Sequence, residues 1–81
     1  MVQVAYMLLT TKYGKEKEVS KAVMESEIVE DVHVLYGQFD LIVKLKAENL
    51  QVIEDYILDN VRTNQNIEST ETLIASDVSQ G

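Results

Sequence analysis

The segment Val2 to Thr10, VQVAYMLLT, places apolar side chains on both of its alternating faces. Val2, Val4, Tyr6 and Leu8 share one face, and Ala5, Met7 and Leu9 share the other. Alternation of this kind among large and β-branched residues predicts a strand, and apolarity on both sides predicts that both faces are covered. After Gly14 the period changes. Val19, Ala22 and Val23 recur at helical spacing within GKEKEVSKAVMESE, while Glu16 and Glu18 stand near the positive end of the helix macrodipole. A helix with one buried face is the expectation.

From Ile28 to Tyr36 the chain alternates again, with Val32, Val34 and Tyr36 set against Asp31, His33 and Leu35. That pattern predicts a strand with one protected and one more open face. Gly37 interrupts it, and a further strand from Phe39 to Ala47 puts Phe39, Leu41, Val43 and Leu45 opposite Asp40, Ile42, Lys44 and Lys46. The short Tyr-Gly-Gln link predicts an antiparallel hairpin. Asn49 is suited to cap a second helix carrying Leu50, Ile53, Ile57 and Val61 on its apolar stripe. RTNQN ends that helix, since Asn tolerates the left-handed conformation. Strand character resumes from Ile67 to Asp77, with Thr70, Thr72 and Ile74 opposite Glu71, Leu73 and Ala75, and SQG reads as a frayed tail.

The order is β-α-β-β-α-β, which makes residues 1–81 a single α+β domain of the ferredoxin-like type. Its four strands form one antiparallel sheet with two helices on one face, as in dimeric α/β barrels. Two helices leave the other sheet face bare. Because the first strand is apolar on that side too, the face is expected to meet a partner, most economically a second copy across a two-fold axis.

Composition narrows the chemistry. A chain of 81 residues buries only about 60% of its unfolded surface as a monomer, and with no Cys and one His it has neither disulfides nor a histidine-rich metal site. No cofactor or metal is expected. Fourteen acidic against seven basic residues give a net charge of −7, the wrong sign for gripping phosphates, so no direct contact with nucleic acid is expected. Neither a membrane-length apolar run nor a signal-peptide pattern occurs, which points to a cytoplasmic protein.

The remaining question is why an aspartate stands in LYGQFDL, because an unpaired buried carboxylate is costly. VLYGQFDLIVKL (Val34 to Leu45), with its Gly-x-x-Asp pair after an apolar strand, and NIESTETLIA (Asn66 to Ala75), with Thr-x-Thr in a late strand, resemble the ligand-binding half of the Lrp/AsnC transcription regulators, the RAM domain. The resemblance covers essentially the whole chain. Full-length members carry an N-terminal helix-turn-helix domain, whereas here the sequence starts with the first strand, so the expectation is the stand-alone form. At Asn66 the family often has glycine, a position where Asn can adopt the same left-handed turn.

The resemblance implies an amino-acid effector held between subunits by Tyr36, Gly37, Asp40, Thr70 and Thr72. Gly37 would let backbone approach the ligand, Asp40 would pair with its ammonium, and the threonines would offer hydroxyls. It further implies a dimer assembled into a ring of eight or ten chains, acting on transcription or metabolism through a partner such as a full-length relative. Plainer readings stay open. Gly37 also suits any tight hairpin, Asp40 can be solvated or paired with Lys44, and the threonines suit any strand. Tyr6, Tyr13, Tyr36 and Tyr56 read as core or interface packing. His33 beside Asp31 suggests a small monooxygenase or isomerase, but no nucleophile accompanies it and the expectation is no enzyme. A purely structural assembly protein is the third reading.

Overall fold

β1 (Gln3–Thr11) forms the spine of the fold, flanked by β3 (Leu41–Ala47) on one side and β4 (Ile67–Ile74) on the other. β2 (Val29–Val34) adds beyond β3, so the sheet order is β2-β3-β1-β4 and every pairing is antiparallel. The computed structural model describes residues 2–75. α1 (Glu16–Met24) and α2 (Leu50–Tyr56) complete the ferredoxin-like βαββαβ order. The expected end of the last strand at Asp77 and the SQG tail lie outside the described residues.

Alternation sorts β1 between two environments. Ala5, Met7 and Leu9 are fully buried under the helices, opposite Leu45, Val43 and Leu41 of β3, which are equally inaccessible. Val19 and Val23 of α1 and Ile53 and Tyr56 of α2 close this core. At about 1.5–3 kcal/mol per large apolar side chain removed from water, this layer supplies most of the fold's driving force. Val4, Tyr6 and Leu8 face the other way and are only half-buried, because no helix among the described residues covers that side. β1 is therefore covered on one face within the chain, not on both.

Helix packing departs from the sequence pattern in two places. Ala22 is exposed rather than part of the buried stripe, since Val19 and Val23, one turn apart, reach the sheet and Ala22 falls one 100° step away with a short side chain. In the second helix, Asn49 caps as expected, its Oδ1 accepting the Val52 N–H at 3.1 Å. The backbone then widens to a π turn over Ile57–Val61, closed by the Arg62 N–H donating to Ile57 O at 2.9 Å. An extra residue per turn shifts the buried series to Ile53, Tyr56 and Val61, while Leu50 at the first turn stays exposed.

The connection to β4 contains no left-handed asparagine, as no described non-glycine residue has positive φ. Asn64 turns the chain through its side chain instead, Oδ1 accepting the Asn66 N–H at 2.9 Å. β2 also ends two residues earlier than its alternation suggests. Leu35 N–H donates to Asp40 O at 2.8 Å, leaving Tyr36, Gly37, Gln38 and Phe39 in the hairpin loop.

Candidate functional site

Antiparallel pairing brings three connections to one end of the sheet: the β1–α1 turn, the β2–β3 loop and the residues leading into β4. Lys12 N–H donates to Asn66 O at 2.8 Å, which ties the first of these to the third. In the β1–α1 turn Gly14 has φ +76°, a left-handed value that glycine adopts freely. Gly37, at the hairpin tip, has φ +156°, and a Cβ built there would meet nothing within 4 Å. Backbone conformation, rather than crowding, accounts for glycine at position 37. Beside it Tyr36 is fully exposed, as is Tyr13 across the same end, whereas Tyr56 is buried and Tyr6 half-buried.

Asp40 has a definite structural partner. Its Oδ2 accepts the Thr11 backbone N–H at 2.8 Å and lies 3.5 Å from Thr11 Oγ1, while its own N–H donates to Leu9 O at 2.8 Å. Thr11 is buried, so this carboxylate satisfies a donor that would otherwise be lost to water at the end of β1. No ion pair joins Asp40 to Lys44. Lys44 Nζ instead lies 3.7 Å from Glu30 Oε1, and Lys46 Nζ lies 3.8 Å from Glu30 Oε2. Asp40 is half-buried, with Oδ2 held and the carboxylate thereby fixed in direction.

Thr70 and Thr72 share a face of β4, opposite Leu9 and Met7. They point toward the helix layer but at the sheet edge, where Thr70 is exposed and Thr72 half-buried. β1 separates them from Asp40. The loop residues Tyr36, Gly37 and Asp40 belong to the β3 side of β1 and the threonines to the β4 side, although the Asp40 carboxylate itself reaches Thr11 of β1. Thr70 lies toward the loop end of the sheet, and Thr72 farther along β4, opposite Met7 at the middle of β1.

Residues beyond the expected set also belong to this end, Arg62 and Glu68 among them. A cavity of 210 Å³ between the end of the π turn and the start of β4 is lined by Val61, Arg62, Ile67, Glu68, Ser69 and Thr70. Arg62 is the sole arginine of the sequence, a signal visible in RTNQN but absorbed into its reading as a helix stop. A smaller cavity of 130 Å³ on the bare sheet face is lined by Tyr6, Asp31, His33, Ile42 and Lys44. His33 and Asp31 thus do share a depression, although His33 is exposed. Burial pushes the Tyr56 phenol above its usual range, but its place in the core makes this a matter of stability.

Residues 4–79 match the family described as the Lrp/AsnC ligand binding domain. Over 71 residues the chain is 38% identical to the HTH-type transcriptional regulator FL11 of Pyrococcus furiosus, covering 86% of this chain and 46% of that protein. The chain thus spans about half the length of this curated relative. Among solved structures it is similar to FFRP-DM1, with 34% identity, a TM-score of 0.88, and coverage of 91% of this chain and 99% of that one. It is also similar to hypothetical protein PHS023 of Pyrococcus horikoshii, with 35% identity and a TM-score of 0.89 over 96% of this chain and 93% of that one. With its fold and sequence both matched over nearly the whole chain, the protein belongs to the Lrp/AsnC ligand-binding domain family of transcription regulators.

Proposed function

We propose that the chain is an amino-acid-binding regulatory module that self-assembles and modulates transcription or metabolism through a partner, not by reading DNA itself. The family match over residues 4–79 carries this reading. Asp40 supplies the anionic contact: one oxygen is held by Thr11, which orients the carboxylate toward an arriving ammonium group. Thr70 and Thr72 supply hydroxyls. The Tyr36–Asp40 loop and the threonines lie on opposite sides of β1, and the site is completed by pairing the loop of one copy with the threonines of another. Ligand binding then depends on self-assembly.

The full role follows from charge. A net charge of −7 disfavours direct contact with duplex DNA, so the signal passes to a partner, with mixed assembly alongside a full-length relative as the route. The relatives' names describe transcriptional regulators, which favours a cytoplasmic, non-enzymatic role. Thermal-shift measurements with the twenty common L-amino acids test the binding, because a ligand of the folded state raises the melting temperature in proportion to its saturation. Calorimetric titration of Asp40→Asn then tests the site: loss of one charge-assisted contact should weaken binding roughly ten- to a hundred-fold. No thermal shift with any amino acid, or unchanged affinity in the intact variant oligomer, would remove the proposal or its site respectively.

A further inference from the structure

Building on the amino-acid reading above, we infer that the cavity between the π turn and β4 is the carboxylate-holding half of the ligand site, with Arg62 as its anchor. The residues carried by the family resemblance provide an acid for the ligand's ammonium but no cation for its carboxylate. Arg62 fills that gap. It lines the same 210 Å³ cavity as Thr70, so whatever copy contributes the threonine contributes the guanidinium with it.

Both walls of the cavity depart from regular structure, each in a way that sets a side chain. On the helix side, the π turn ends at Arg62, whose N–H closes the wide turn on Ile57 O at 2.9 Å. The extra residue buries Val61 and leaves Arg62 at the cavity rim. On the sheet side, Thr10 pairs with Ser69 while Thr11 pairs with Ile67, so Glu68 is the bulged residue of β4. Bulges and π turns both re-aim side chains, and both are found more often than chance at functional sites. Here they converge on one depression.

Charge supports the same assignment. Among the described residues neither Arg62 nor Glu68 forms an ion pair, and they do not pair with each other although both line this cavity. The helix-end carbonyls compete little for the guanidinium: Val61 O accepts the Asn64 N–H at 3.1 Å, and Asp59 O accepts the Thr63 hydroxyl at 2.9 Å. A planar guanidinium grips a carboxylate through two parallel bonds. Glu68 beside it makes the lining neutral overall, which favours a ligand carrying its own positive charge over a simple anion. The Ser69 hydroxyl is engaged by the Thr10 hydroxyl, leaving the Thr70 hydroxyl to join Arg62.

Calorimetric titration with each of the twenty common L-amino acids, and with the α-carboxamide of every one that binds, tests this on the wild type, Arg62→Gln and Arg62→Lys. The carboxamide keeps the ammonium and side chain but removes the negative charge. Wild type should prefer the acid by roughly ten- to a hundred-fold, the preference should collapse in Arg62→Gln while carboxamide binding stays the same, and Arg62→Lys should restore part of it. Because Arg62 is exposed, its substitution should leave the circular dichroism spectrum and the oligomer mass unaltered. A wild type that binds no amino acid overturns the functional reading and this inference together. Binding with an undiminished acid preference in both variants overturns the inference alone, and returns Arg62 to a surface charge at a helix end.

Discussion

At the residue scale, Asp40 has a structural task besides the ligand contact proposed for it. Its carboxylate already serves Thr11, so Asp40→Ala should strand a buried N–H and cost about 1–3 kcal/mol in urea denaturation, with Asn, which keeps an acceptor, costing less than half of that. Equal stability of the alanine variant and the wild type would mean the bond contributes nothing. Tyr56 makes a separate, pH-dependent prediction. Burial raises its phenol above the ordinary value of 10.0, so above that pH the unfolded chain loses its proton while the folded chain keeps it. Stability is therefore present in full below about pH 10 and falls as pH rises through the folded value. Replacement by Phe should flatten this alkaline loss without lowering stability much at neutral pH, as seen in denaturation midpoints between pH 8 and 11. Sequence leaves Asp40 either solvated or paired, with Lys44 as the partner in reach, and does not point to Thr11. Thr11 is 29 positions away, and only the pairing of β1 with β3 brings its N–H within reach.

Elements were legible wherever the side-chain period was long and unbroken. β1 and β3 follow their alternation residue by residue, and Asn49 caps α2 as its side chain allows. Asn49→Ala should cost about 1 kcal/mol, read from the thermal midpoint, since the Val52 N–H is then left to solvent. A loss below a few tenths of a kcal/mol would show that water replaces the cap. What periodicity missed is where the period itself changes. A regular helix would bury Leu50, Ile53, Ile57 and Val61 in series, but the π turn makes Tyr56 and Val61 the buried pair and leaves Ile57 only partly covered. Nothing in ILDNV encodes a wider turn locally, because the choice between helix types is settled by how Tyr56 and Val61 meet the sheet. The same holds for Glu68, whose bulge exists only relative to Thr10 and Thr11 on the neighbouring strand.

For the whole molecule, the bare sheet face decides what a chain this small can do. Val4, Tyr6 and Leu8 run along its centre with Ile42 on one side and Leu73, 48% exposed, on the other, while Lys44, Lys46, Glu30, Asp31 and Glu71 stand around them. An apolar centre inside a mixed-charge rim is the general anatomy of a protein–protein interface, which typically takes about 800 Å² per partner, and the proposed self-assembly would use it. Leu8 offers a selective test because its cross-strand neighbour on β4 is Glu71. In a lone chain Leu8→Lys places a cation opposite that carboxylate on an already half-open surface, an opposite-charge pair worth about 0.2–1 kcal/mol, so the fold should persist. In an assembly the same lysine, present twice across a two-fold axis, would have to be desolvated in the middle of the interface, at a cost of several kcal/mol. Light scattering at micromolar concentration should therefore give a multiple of 9.2 kDa for the wild type and a mass shifted toward 9.2 kDa for Leu8→Lys, with an unchanged circular dichroism spectrum. If the ligand site is shared between copies as proposed, the variant should also lose amino-acid binding, although Leu8 lies on the bare face while Arg62, Thr70 and Thr72 belong to the helix side. A monomeric variant that still binds the ligand with wild-type affinity would break the link between assembly and recognition, and a wild type that scatters as a single 9.2 kDa chain would remove the assembly itself.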